Sequence, residues 1–191
     1  MDNIYTLLIS SIFVNNVVLI MFLGICPFIG VSKKTSPAFY MGIAVTLIMV
    51  CSSFLTWIIY KKILEKLNLE YMWIVIFIFI IALMVQGIEI FIKKKSISLY
   101  QKLGIYLPLI TTNCAILGIA FLNITNEFSL LYAVINGFGA GIGFMIALIM
   151  MSSIREKLEL GNVPEIFKGV PIAFITAAIM SLAFFGFKAF L

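Results

Sequence analysis

Two segments of this chain carry residues that could do chemistry together: Cys26-Pro-Phe-Ile-Gly30 and Cys114-Ala-Ile-Leu-Gly118. Each sets a thiol four residues before a glycine, and the two lie 88 residues apart in a chain of 191. Cysteine as the thiolate is both a nucleophile and a metal ligand. Helix breakers stand beside both thiols. Pro27 supplies no backbone N–H and clashes with a preceding helical turn, and Gly24 and Gly30 flank it. In the second segment Pro108 opens a similar disturbance, and Thr111, Thr112 and Asn113 run polar into Cys114. The apolar segment is therefore expected to break at each cysteine. Thiols at paired breaks point to thiolate ligation or redox work. Two thiolates are too few for an iron–sulfur cluster, which commonly takes about four. A cluster here would need a second subunit to supply the other pair. An intramolecular disulfide is the alternative, and it requires Cα atoms within about 7 Å.

The elements that must position these thiols are set by composition. The chain is 63% hydrophobic and 11% charged, with a mean hydropathy of +1.20. Soluble domains carry about 25% charged residues, so the solvent for most of this surface is lipid. About 20 apolar residues span a bilayer core as a helix. Six stretches qualify, near 4–24, 39–60, 71–92, 103–122, 128–152 and 169–190. The loops between them are short, so the sequence predicts one all-α integral membrane domain over 1–191. The opening residues lack the basic start and cleavage site of a signal peptide, so the first apolar stretch is read as mature. The net charge of +5 reports orientation rather than nucleic-acid binding. Nine of the 13 basic residues follow spans 1, 3 and 5, and four lie on the other side. The positive-inside rule then puts both termini outside the cytoplasm. The chain holds no histidine, the usual metal ligand and general base near neutral pH.

Shifting the sequence by 88 superposes the two Cys-x3-Gly segments and lays span 2 over span 5. The halves 1–92 and 93–191 therefore read as a three-helix repeat. Three is odd, so the second copy enters from the opposite side, giving an inverted 3+3 repeat with spans 1 and 4 broken. In such folds sites lie near the midplane at broken helices. Other candidates are weaker. Cys51 lies mid-span with no breaker nearby and reads as ordinary packing. Glu89 stands four residues before Lys93, the spacing of a helical ion pair. Asn15 and Asn16 lie deep in span 1, as interhelical glue or as partners for backbone at the break. Gly137, Gly139, Gly141 and Gly143 alternate in span 5 as small-xxx-small pairs, a packing signal.

The stretch Val14-Asn15-Asn16 through Phe22-Leu23-Gly24-Ile25-Cys26-Pro27-Phe28, closing on Gly-Val-Ser-Lys-Lys34, resembles the A-type family of Rnf complex subunits. So do Leu103 to Gly118 with its Thr-Thr-Asn-Cys, Ile154-Arg-Glu-Lys157, Val163-Pro164 and Phe174-Ile-Thr-Ala177. The resemblance runs through nearly the whole chain. The E-type component of the sodium-pumping NADH:quinone reductase is a paralogue. It tends to carry Glu where Asn15 or Asn16 stands and Thr where Pro27 stands, which favours the Rnf side.

That resemblance implies a respiratory pump of a prokaryotic cytoplasmic (inner) membrane. It passes electrons between reduced ferredoxin and NAD and moves Na+ or H+ outward. Related A-type and E-type subunits, six-helix proteins of opposite topology, hold a [2Fe-2S] cluster between them with two cysteines each. Onto this sequence the ligands fall on Cys26 and Cys114, with Gly24, Pro27 and Asn113 around them. Asn15, Asn16, Thr111 and Thr112 become candidates for an ion path. The other Rnf subunits carry flavins and iron–sulfur centres, and the chain alone is not expected to be active. Two other classes compete: a cofactor-free inverted-repeat transporter, which needs no paired cysteines, and a membrane thiol–disulfide enzyme, which would favour a Cys-x-x-Cys pair that this chain lacks.

Overall fold

The computed structural model describes residues 4–65, 72–95, 107–161 and 163–188, and every regular element among them is helical. Helix α1 (Ile4–Ile9) runs into a π-helical turn, Ser10–Val14. A non-helical stretch follows, and α2 (Ile25–Val31) resumes. Helix α3 (Thr35–Ile59) continues as a π-helical turn through Leu64. Next come α4 (Trp73–Lys95), α5 (Leu107–Thr111), α6 (Cys114–Thr125), α7 (Leu130–Leu160) and α8 (Val170–Lys188). Thr35–Leu64, Trp73–Ile90 and Leu130–Leu160 are long and apolar enough to cross a bilayer; Ile4–Val14, Leu109–Thr125 and Val170–Gly186 are shorter apolar segments.

Two expectations are corrected. The first apolar stretch leaves helical geometry at Asn15, eleven residues before Cys26. The break therefore precedes Cys26-Pro27 instead of coinciding with it. Arg155 to Leu160, read as the start of a loop, belongs to α7. At 31 residues, α7 is about 46 Å long at 1.5 Å per residue, well beyond a hydrocarbon core of about 30 Å. Its charged last turns therefore project past the apolar layer. The expected Glu89–Lys93 pairing falls outside the described side chains.

Helix α7 is the centre of the fold, and its alternating glycines explain how. On one face, a Cβ on Gly137 would lie 3.1 Å from Met49 O, and one on Gly141 would lie 2.8 Å from Thr46 Cα. Gly42 of α3 receives Met145 in return. As the residue number rises on α7 it falls on α3, so the two helices are antiparallel. On the other face, Gly139 abuts Ser11, and Gly143 abuts Ile12 O at 2.9 Å from its would-be Cβ. There the numbers rise together, so the first segment runs parallel to α7. Positions i and i+2 of a helix point about 200° apart. Alternation thus lets one helix accept close neighbours on two sides.

A chain of buried amides ties these helices together. Asn136 Nδ2 donates to Asn123 Oδ1 (2.7 Å), and Asn123 Nδ2 donates to Ser53 Oγ (3.1 Å) and Ala133 O (3.3 Å). The Ser11 hydroxyl lies 2.6 Å from Asn136 Oδ1 and 2.8 Å from Leu7 O, one proton between two acceptors. The network joins the first segment, α3, α6 and α7 at buried positions.

Gly141→Val should lower stability by about 1–3 kcal/mol or more, because its branches would meet Thr46 backbone. Gly87→Ala, with nothing near its Cβ position, should be neutral or mildly stabilising. Asn136→Ala should cost about 1–3 kcal/mol, since Asn123 and Ser11 would each lose a buried partner. Thermal unfolding of the purified chain in detergent measures all three.

Candidate functional site

The first break is built by Asn16. The π turn closes with Asn15 N donating to Ser10 O at 2.7 Å. Asn16 Nδ2 then donates to Ile12 O (3.1 Å) and to Gly143 O on α7 (3.0 Å). Its Oδ1 accepts from Val18 N (3.1 Å) and Leu19 N (3.2 Å). One side chain thereby satisfies backbone groups on both sides of the break. Ser181 of α8 adds a 2.6 Å bond from its hydroxyl to Leu19 O. The loop ends at Gly24, with φ +77°, a left-handed conformation that suits only glycine here. A Cβ would also meet Phe144, Ala115 and Asn113 at 2.9–3.1 Å.

Helix α2 then starts at Ile25, and its first helical bond is Phe28 N to Gly24 O (3.2 Å). Cys26 and Pro27 lie in the first turn, where N–H groups have no helical acceptor. Proline costs nothing at that place. Pro27 is thus a helix-start residue, not the breaker.

The second break is shorter. Helix α5 ends at Thr111, and Asn113 is the N-cap of α6. Its Oδ1 accepts from Ala115 N at 3.0 Å, as an N-cap asparagine should. Its Nδ2 is buried and has no partner among the described residues. The cap bond fixes which amide atom is which, so the unused group is a donor. Thr111 and Thr112 flank this break, and both have partners.

The two cysteine segments meet. Gly24 N–H donates to Cys114 Sγ at 2.9 Å, across 90 residues of chain. The glycine of each Cys-x3-Gly faces a leucine of the opposite segment. Gly118 receives Leu23, and the would-be Cβ of Gly30 lies 3.2 Å from Leu109 Cδ1. Each glycine lies one turn beyond its cysteine on the same face of its helix. Removing the side chain there lets the other half of the molecule approach the thiol. Cys26 and Cys114 are both free and exposed on this chain. Cys114 lines an apolar recess of about 260 Å³ with Leu23, Trp73, Leu117 and Phe121. Trp73 stacks on Phe121 at 4.9 Å to wall it. Cys51 is also free and exposed, on α3, so it does not pack in the core as its mid-span position suggested.

The other candidates separate. Asn15 is exposed, donates to Ser10 Oγ (3.1 Å), and lines a cavity of about 340 Å³ with Thr6, Ser10, Ser11 and Asn136. Asn16 is buried, with both amide protons and two oxygen lone pairs engaged. It serves the backbone at the break. Sequence reading missed Asn123, Asn136 and Arg155. Asn136, a polar residue inside an apolar span and next to the glycine series, was a visible signal. Asn123 was hidden by its place near a span end.

Residues 4–191 match the family model described as Rnf-Nqr subunit, membrane protein. A relative from Acetobacterium woodii, named as the A component of a Na(+)-translocating ferredoxin:NAD(+) oxidoreductase complex, is 52% identical over 95% of each chain. Two further relatives are named as the A component of an ion-translocating oxidoreductase complex. One, from Syntrophotalea carbinolica, is 47% identical over 98% of this chain and 97% of the relative. The other, from Vibrio vulnificus, is 50% identical over 95% and 94%. The resemblance read from the cysteine motifs therefore holds along the whole chain, which belongs to the Rnf-Nqr family of membrane-protein subunits.

Proposed function

We propose that this chain is the A-type membrane component of an ion-translocating ferredoxin:NAD oxidoreductase, and that Cys26 and Cys114 provide half the ligands of a [2Fe-2S] cluster shared with a related subunit. The carrying observation is the Gly24 N–H bond to Cys114 Sγ, which brings the segment bearing Cys26, two residues further on, against the start of α6, with both thiols free and exposed. The names of relatives at about half identity support the oxidoreductase assignment, and the Acetobacterium woodii relative favours Na+ over H+.

The residues fit such a group. Thiolates are its usual ligands, and hydrogen bonds to sulfur tune it. Gly24 N–H already donates to Cys114 Sγ, and the buried Asn113 Nδ2, next in sequence to Cys114, has no partner among the described residues. Among the described residues no three His, Cys, Asp or Glu side chains gather, so a partner would complete the ligand set. When bound, the group accepts and passes on one electron at a time inside the apolar layer.

This chain's own residues do the rest. Gly30 and Gly118 let the halves close, Asn16 and Asn113 hold the breaks open, and the recess gives Cys114 an apolar wall of Leu23, Trp73, Leu117 and Phe121. The reciprocal Leu23–Gly118 and Leu109–Gly30 contacts, with α3 and α7 antiparallel, favour an inverted repeat with its axis beside the thiols. The basic-residue count favours a cytoplasmic end for Arg155 and extracytoplasmic termini. The polar cavity at Asn15 favours an ion path beside the first break.

In the assembled complex, Cys26→Ser and Cys114→Ser should each abolish one [2Fe-2S] EPR signal and its two irons per complex. An unchanged spectrum in either variant overturns the assignment. Asn113→Ala should cost about 1 kcal/mol through its lost cap, whereas Asn113→Asp should retain it; thermal unfolding of the two variants tests this.

A further inference from the structure

Arg155 is the most deeply buried cation among the described residues, 6% exposed, and the cluster site leaves it without a role. It stands on α7, beyond the apolar part of that helix. Its Nη1 donates to Ile29 O at 2.7 Å and to the buried Ser32 hydroxyl at 2.9 Å. Ile29 belongs to the last turn of α2, whose carbonyls have no helical partner. Arg155 therefore closes the end of the short helix whose first turn bears Cys26. The next residue, Glu156, does the complementary thing for a different helix. Its Oε1 accepts from Thr35 N at 2.8 Å, at the start of α3. Each charge meets the helix end that favours its sign.

Helix α2 is seven residues long and cannot hold itself in place. Its position is set from α7 at two levels. Gly143 O anchors Asn16 at the break before it, and Arg155 anchors Ile29 and Ser32 after it. Cys26 lies between these anchors, three residues before Ile29. At 1.5 Å rise per residue, the guanidinium stands within roughly 10 Å of the cysteine along α2.

We infer that Arg155 is a positioning residue for Cys26, fixing the half-helix that presents the thiol and placing one positive charge near the redox centre. This rests on the cluster proposed above. A fixed positive charge favours the reduced, more negative state of a nearby centre, more strongly where water is excluded. Arg155 thus acts through geometry and through charge, and the two are separable. Lysine keeps the charge but loses the planar fork. Glutamine loses the charge and keeps a donor.

The test is a redox titration of the assembled complex followed by EPR, with iron counted. Arg155→Gln should retain the signal and shift its midpoint potential to more negative values. Arg155→Lys should leave the potential close to wild type but broaden or shift the EPR lines, because the half-helix is less fixed. Glu156→Ala frees α3 but leaves α2 capped, so it should change neither. An Arg155→Gln complex with wild-type potential and line shape overturns the inference, as does an equal potential shift in Glu156→Ala, which would mean general loosening. If Arg155→Gln does not assemble, Arg155→Lys decides: a wild-type spectrum there overturns the positioning role. Failure of the cluster reading is distinct, since Cys26→Ser would then leave the signal of the wild-type complex intact.

Discussion

In hydrocarbon a backbone N–H or C=O without a partner costs several kcal/mol, and the rest of this structure follows from that constraint. A chain can leave helical geometry inside a membrane only where other groups replace the missing bonds. Asn16 does so at the first break with four hydrogen bonds, two to its own segment's backbone amides and two to carbonyls before it and on α7. Asn113 does so at the second, capping Ala115. Once the breaks are stable, their neighbouring half-helices can begin beside one another, and their first turns are where the two cysteines stand.

The same constraint explains why α7 is so rich in glycine. To offer Gly143 O to Asn16, its backbone must approach the first segment closely, and any Cβ at Gly143 would intrude on Ile12 O. To pack on α3 as well, it needs a second bare face, which Gly137 and Gly141 supply. Close approach also makes the buried amide chain from Ser11 to Ser53 short enough to connect. Packing and polar satisfaction are one design here, because helices held apart by side chains could not exchange these bonds.

Much of the candidate site was legible from residue types. A cysteine followed by a glycine one turn later, twice, pointed to a shared location, and Gly24 N–H on Cys114 Sγ joins the two segments. The alternating glycines read as packing, and they pack. The place of the first break was not legible. Proline is the stronger local signal, but Pro27 sits where a helix tolerates it, and helical geometry is left at Asn15, in a loop organised by Asn16 that ends at the left-handed Gly24. Asn123 and Asn136 were missed because their value lies in each other, and Arg155 because a basic residue near a span end reads as a solvated loop.

By itself, then, the sequence determined that this chain lives in lipid as apolar helices and that its two halves carry matching thiol segments. Composition, periodicity and local backbone preference act over a few residues and need no partner. Only the tertiary structure decided that the two segments touch, that each glycine admits the other half's leucine, and that α7 anchors the Cys26 helix from Gly143 and Arg155. Those are contacts across about eighty to more than one hundred residues of chain, set by which carbonyls and amides remain unpaired once the helices have packed.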